Sequence, residues 1–463
     1  MDRKDFVTLS AKAALSLGVA LKTSFYNEDD AQQENLLDKK GTGSVFELTT
    51  APIDTVRIGM IGVGNRGGVL LQMFEYLLKE KNAAIVAIAD IQEEKANAAQ
   101  EILNRLQKKP AKLYYGGEEE WKKVAERDDI DLLVIATPWH LHTPMCIYGM
   151  EQGKHVACEV PIATTLKDCW TLVEVAERTQ KHCMMLENCC FNGEELWVLN
   201  MIQEGVFGDI THAEGAYLHD LRKHLIDEKN YYNQWRIKEH EKHNGNLYPT
   251  HGLGPIASYM DIGRGDNLDT IVSMSSREKN LSDTAKRKNS SHDKIKCGDL
   301  NTSLIKTKRG KTIMLQFDVH TGRPYSRLNN VTGTMAVHEG YPSRLYIDDG
   351  EPKYYGHEWL EEKEYREYRV KYDHPLWGTA FKNLIDIQGG HGGMDAVMMY
   401  RLVKALNQGL PLDINVYDSV LWSAIVPLSE MSVAQGSMPI KIPDFTGGLW
   451  ENYKPSPLLR NII

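Results

Sequence analysis

From Val56 onward the chain alternates short, nearly unbroken apolar runs with stretches of helical period. VRIGMIGV (56–63), AAIVAIAD (83–90), DLLVIATP (131–138), KHVACEV (154–160) and KHCMMLEN (181–188) have strand length, and a helical segment separates the first two. Runs apolar on both faces predict strands covered above and below, the setting of a parallel sheet. Beyond Asn188 the texture changes. EELWVLNMIQEGVFG (194–208) reads as a helix, and ITHAEGAYLHD, LNTSLIKTKRGKTIMLQFDVH and GTMAVHEGYPSRLYIDDG alternate as antiparallel strands with one wetter face do. A helical tail runs through MDAVMMYRLVKALNQG and VYDSVLWSAIVPLSEMSVAQG. The expected fold class is α/β: a Rossmann domain with a parallel doubly wound sheet at 51–188, then an α+β domain with an open, mostly antiparallel sheet at 189–463. Residues 1–50 read as leader and linker, and no internal repeat is found.

Composition narrows this further. The 463 residues suffice for two or three domains with a full apolar core. No run approaches the roughly 18 apolar residues of a membrane span, and a net charge of −9 argues against nucleic acid as the main partner. The basic stretch at 277–296 reads as a solvated excursion. Seven cysteines without a CxxC pair read as buried free thiols. The N-terminus carries Arg3, Lys4 and a weak apolar run at 13–21. That resembles a twin-arginine export signal with one Arg replaced by Lys, which implies export to the periplasm; a frayed surface helix in a cytoplasmic protein is the other reading.

The chemistry begins at GMIGVGNRGG (59–68), where Gly62, Gly64 and Gly67 fit GxGxxG. A strand precedes the motif, a helix follows, and Asp90 closes the next strand 23 residues after Gly67. Such glycines let backbone amides approach a pyrophosphate at a helix N-terminus. Asp90 would accept from a ribose hydroxyl and repel a 2′-phosphate, favouring NAD over NADP, while Arg66 pulls the other way. TPWHLHTP (137–144) follows the fourth strand. Its His140 and His142 lack further ligands at zinc spacing, so cofactor contact or loop packing is expected there and no metal. CEVP (158–161) places Glu159 and Val160 at the same sheet edge.

With the Rossmann fingerprint, TPWHLH, CEVP and a trailing sheet domain, the chain resembles the glucose-fructose oxidoreductase and inositol dehydrogenase family. Many members have Glu-Lys-Pro where Glu159-Val160-Pro161 stands, so this chain lacks their proton-handling amine. LENCCF, YLHDLR, QWR, NGNLYPTHGLGP, RPY, YDHPLW, GGHGGMD and IPDFTGGLW, in order up to about Glu451, further resemble glycoside hydrolase family 109, the NAD-dependent α-N-acetylgalactosaminidases. The resemblance implies a hydrolase whose cofactor ends as it began: oxidation at carbon 3 of the sugar, elimination at carbons 1 and 2, hydration, and return of the hydride.

It also implies site residues. Asn65, Arg66, Asp90, Trp139, His140, Leu141, His142, Glu159, Val160, Asn188 and Tyr248 would contact NAD. Tyr217, Arg236, Tyr248, Pro249, Thr250, His251 and Tyr325 would line the sugar pocket. His251 is the expected proton-transfer residue, assisted by Tyr248; a core histidine and an aromatic anchor are their structural alternatives, as a surface salt bridge is for Arg236. Phe191 stands where family members often have Tyr, and His391 would act as an acid on the aglycone side or cap the helix near Met394. The expected partner is a small carbohydrate or glycoconjugate, and a homodimer follows by analogy. An NAD-dependent glycoside 3-oxidoreductase releasing 3-keto sugars is the competing activity, with a sugar-binding protein holding idle NAD behind it.

Overall fold

The computed structural model describes residues 35–348, 350, 357–377, 391–452, 454 and 456–460, and the side chains of these except 459 and 460; residues 1–34, where the export-signal-like segment falls, lie outside them. Six strands, β1 (Val56–Ile61), β2 (Ala83–Asp90), β3 (Lys112–Tyr115), β4 (Leu132–Ile135), β5 (His155–Cys158) and β6 (Cys183–Met185), form a wholly parallel sheet in the order β3-β2-β1-β4-β5-β6. This is the doubly wound order whose crevice opens at the carboxyl ends of β1 and β4. β4 and β5 are buried at every position, as their unbroken apolar runs predict. Two helices deliver residues to that crevice: α1 (Asn65–Met73) leaves the glycine motif, and α2 (Trp139–Glu151) begins inside TPWHLHTP.

The second sheet has eight strands: β7 (Ile210–Leu218), β8 (Leu268–Ser275), β9 (Asn301–Thr307), β10 (Thr312–Asp318), β11 (Asn330–Gly333), β12 (Ala336–Gly340), β13 (Ser343–Ile347) and β14 (Ile440–Lys441). Their order is β13-β12-β11-β7-β10-β9-β8-β14, antiparallel except for the central β7–β10 pair, which sets Tyr217 beside Phe317. The expected open, mostly antiparallel sheet is thus present. Between β7 and β8 the chain runs through α3 (Trp235–Lys242) and α4 (Thr250–Tyr259), and α4 packs on β7 at backbone distance. A Cβ on Gly215 would lie 2.4 Å from Gly252 O, and one on Gly252 would lie 2.5 Å from Ala216 N. Two glycines therefore set His251 directly over the strand that carries Tyr217.

The basic stretch at 277–296 includes a helix, Asn280–Arg287, whose Leu281 and Ala285 are buried while Lys286 and Arg287 face solvent. All seven cysteines are buried and free.

Just beyond α4, Asp261 sits half-buried at φ 55°, and burial together with nearby Asp266 pushes its pKa up to about 6 against the pull of Lys311 and Arg264. A folded-state pKa above the unfolded value gives stability that is complete near pH 4 and is lost as the pH rises through about 6. Asp261→Asn should therefore raise Tm above pH 7, by the equivalent of about 1 kcal/mol, and leave it unchanged near pH 4. Thermal melts of both proteins across that range check this; asparagine also tolerates the left-handed backbone.

Candidate active site

The glycine motif fits a dinucleotide. Gly62 has φ 80° and Gly64 has open space where a side chain would stand. A Cβ on Gly67 would sit 1.9 Å from Gly62 O, the close helix-to-strand packing that the third glycine allows. No side chain caps the N-terminus of α1, so its first amides are available to an anion. At the end of β2, Asp90 accepts from Val63 N (2.8 Å) and Gln92 N (2.9 Å), holding the loop while each oxygen keeps a lone pair for a ribose hydroxyl. Burial outweighs those two bonds and leaves its pKa above the ordinary carboxylate value.

Arg66, which in sequence competes with Asp90 over cofactor choice, is fully engaged. Its guanidinium forms a two-pronged pair with Asp395 (2.6 and 2.8 Å), and its Nε donates to Glu159 Oε1 (2.7 Å). Asn188 Nδ2 also donates to Asp395 (2.7 Å), and Asn65 Nδ2 donates to Asn230 O (3.0 Å). The ion pair keeps Asp395 ionised far below the usual range in spite of its burial. With Arg66 so occupied, the Asp90 carboxylate keeps lone pairs free for a ribose hydroxyl, an arrangement that suits NAD. His142 directs both ring nitrogens at carbonyls, Pro161 O and Thr137 O, each at 2.7 Å, and ties two loops together; His140 is exposed, Leu141 half-buried and Val160 buried.

Next to this cradle, rings converge on His251. Tyr248 lies 4.9 Å from His251, 4.6 Å from Tyr217 and 5.8 Å from Trp139 between centroids. Tyr217 is 5.4 Å from His251 and 6.0 Å from Tyr325. The Arg236 guanidinium stands over the rings of Trp139, Tyr231 and Tyr248 at 5.2–5.5 Å and donates to Tyr231 OH (2.9 Å). A cation held by π faces and a phenol, rather than by a carboxylate, is not a surface salt bridge. Pro249 and Thr250 form the start of α4, where Thr250 has no exposed surface in this conformation. Behind the rings, His251 Nδ1 meets Glu187 Oε1 at 2.7 Å. Glu187 is completely buried; burial raises its pKa, but His251 and the Cys189 amide more than reverse that and leave it lowered. A carboxylate on Nδ1 fixes the imidazole so that Nε2 can take a proton, the role of the acid in Ser-His-Asp sites.

Comparison with known proteins agrees with this geometry. Residues 56–187 match the model of the oxidoreductase family, NAD-binding Rossmann fold, and residues 191–452 match that of the glycosyl hydrolase 109 C-terminal domain. The chain belongs to glycosyl hydrolase family 109. It is 42% identical to a family 109 protein of Solibacter usitatus over 98% of this chain and 99% of that one. It is 43% identical to another from Shewanella sp. (strain MR-7), over 96% and 97%. Among solved structures, levoglucosan dehydrogenase in complex with NADH superposes with a TM-score of 0.65 at 18% identity, covering 84% of this chain and all of that one. An inositol dehydrogenase homolog from Azotobacter vinelandii, complexed with NAD+, gives 0.62 at 19%, over 85% and 99%. These likenesses establish the fold. The family 109 chain is an NAD-dependent glycoside hydrolase.

Three residues of this family 109 enzyme lie inside the motif blocks LENCCF, GGHGGMD and YLHDLR, yet the sequence assigns them no role. Glu187 closes an apolar strand run, Asp395 lies over 300 residues from the arginine it holds, and His219 sits two residues past Tyr217, with its ring 5.2 Å from Tyr325. His391 does not cap the helix α5 (Met394–Gln408), whose N-cap is Gly393. It contacts Asp395 instead, Nδ1 to Oδ2 at 3.0 Å. Phe191 is fully buried, in the turn Asn188–Phe191. Glu187→Gln keeps the shape of the pair but loses the charge that orients His251. We expect kcat to fall about 10²-fold with KM held and Glu187→Asp recovering part of the rate, as steady-state kinetics would show.

Proposed function

We propose that this family 109 enzyme hydrolyses terminal α-N-acetylgalactosaminides or related glycosides, with no net consumption of NAD. The observation that carries the reading is the Glu187–His251 pair, set among sugar-sized aromatic walls next to a dinucleotide cradle. Gly62, Gly64, Asn65, Gly67 and Asp90 would hold NAD, which supplies a reversible hydride acceptor for carbon 3 of the sugar. A ketone at that carbon acidifies the proton on carbon 2, so a base there expels the group on carbon 1 by elimination. His251 is that base, or serves the carbon 3 hydroxyl, with Tyr248 as its partner. The Arg236 cation favours the negative charge that gathers on the enolate oxygen. Tyr217 and Tyr325 offer phenols to the ring hydroxyls and acetamide.

One feature favours a second activity. Phe191 is fully buried where family 109 members often carry tyrosine, so a phenol that could serve the later proton transfers is missing, which supports an NAD-dependent glycoside 3-oxidoreductase that stops at the keto sugar. Incubation with p-nitrophenyl α-N-acetylgalactosaminide and no added NAD separates the two. Many turnovers of nitrophenol release, with solvent deuterium entering carbon 2, support hydrolysis. NADH accumulating with a keto product overturns it. The division of labour we infer puts the cofactor domain at 51–188 and the substrate domain at 189–463. The exposed Met274 and Leu304 on neighbouring strands of the open sheet support a homodimer paired through that face.

A further inference from the structure

Away from the rings, a second cluster of chemically competent side chains lies behind α3. His240, one helical turn after Arg236, and His320, just beyond β10, face each other with Nδ1 and Nε2 3.0 Å apart. Cys297 joins them: its Sγ and one ring nitrogen of each histidine all lie within 4.8 Å of one another. All three residues are buried, at 1% exposure or less. Two nitrogens, His240 Nε2 and His320 Nδ1, have no hydrogen-bond partner. Two facing imidazoles with a buried nitrogen, His240 Nε2, left unsatisfied make a costly way to fill a core. Behind His320, Asp299 Oδ1 stands 3.6 Å from Nδ1, a carboxylate backing a histidine as in protein metal sites.

We propose that His240, Cys297 and His320 form a structural binding site for a divalent, thiolate-accepting cation, with zinc as the best match. Zinc bonds of about 2.0–2.3 Å in a tetrahedron put neighbouring ligand atoms about 3.3–3.8 Å apart, which the three donors reach with small shifts, a water molecule taking the fourth position. Nitrogen and sulfur donors exclude magnesium and calcium, which take oxygen. Binding exchanges the Cys297 thiol proton for a metal–sulfur bond, the proton leaving to solvent, and the dication is offset by one thiolate and by Asp299. Since the Lys296 and Cys297 amides already donate to His240 O, the ion would brace the helix that presents Arg236 to the sugar pocket. This site is separate from the proposed reaction and stands whether or not that reading holds.

The test uses the full-length protein stripped with a chelator and reloaded with zinc sulfate or cobalt(II) chloride. Expected results are stoichiometric metal after desalting, a cobalt–thiolate charge-transfer band, and a higher Tm on zinc addition, with Cys297→Ser and His320→Gln removing band and metal. The His251→Ala variant, which alters the only other such cluster among the described residues, Glu187–Cys189–His251, should keep both. Substoichiometric metal in the reloaded protein overturns the proposal. So does metal that survives Cys297→Ser, or that disappears with His251→Ala.

Discussion

Replacing His251 with alanine should leave NAD in the purified protein and lower kcat by about 10³–10⁴-fold. Among the aromatic rings that converge on the pocket, this imidazole is partly accessible and held by a fully buried carboxylate, with Nδ1 on Glu187 and no hydrogen-bond partner for Nε2 among the described residues. Removing it takes away the group poised to accept a proton and leaves Glu187 buried without its main partner. Some loss of stability should accompany the loss of rate. His251→Asn, which keeps a polar group beside the carboxylate, should recover stability and not turnover. Single-turnover kinetics with bound NAD quantified after denaturation would decide the point; a rate within tenfold of the parent protein would move the base elsewhere.

Gly67→Ala should abolish cofactor retention. The new Cβ would fall 1.9 Å from the carbonyl oxygen of Gly62 and 3.4 Å from the Ala136 methyl, so α1 must swing away from β1. Such overpacking costs about 1–3 kcal/mol, and the amides that would face the pyrophosphate move with the helix. Gly64→Ala is the informative contrast, because nothing lies within 4 Å of its added methyl. It should keep the Tm of the NAD-free parent protein and lose affinity for NAD alone, since only an approaching phosphate meets that methyl. Differential scanning calorimetry and NAD content, measured on both variants, separate a strained fold from a blocked ligand.

What the sequence discloses depends on how local the information is. Gly62, Gly64, Gly67 and Asp90 are legible because two neighbouring strands with the turn and helix between them contain the whole logic, and the burial of β4 and β5 follows from their composition. The central β7–β10 pairing is not legible, since it joins strands almost a hundred residues apart in parallel inside an otherwise antiparallel pattern. Glu187 reads as the end of an apolar run until α4 folds His251 over it. The helix Asn280–Arg287 is hidden by its charges, its buried side being small: Leu281, Ser282, Thr284 and Ala285. His240, Cys297 and His320 come from three separate segments and carry no spacing motif. In each case the missing term is tertiary contact.

The Arg66–Asp395 tie bears on how this fold can be cut and recombined. Because a residue 329 positions downstream braces the helix that follows the glycine motif, the Rossmann domain is not a portable module. A chimera that grafts the Rossmann half of a relative onto this scaffold inherits the correct loop only if the far aspartate comes with it. Anyone dissecting the enzyme into halves should expect the amino-terminal piece to fold around a misplaced arginine.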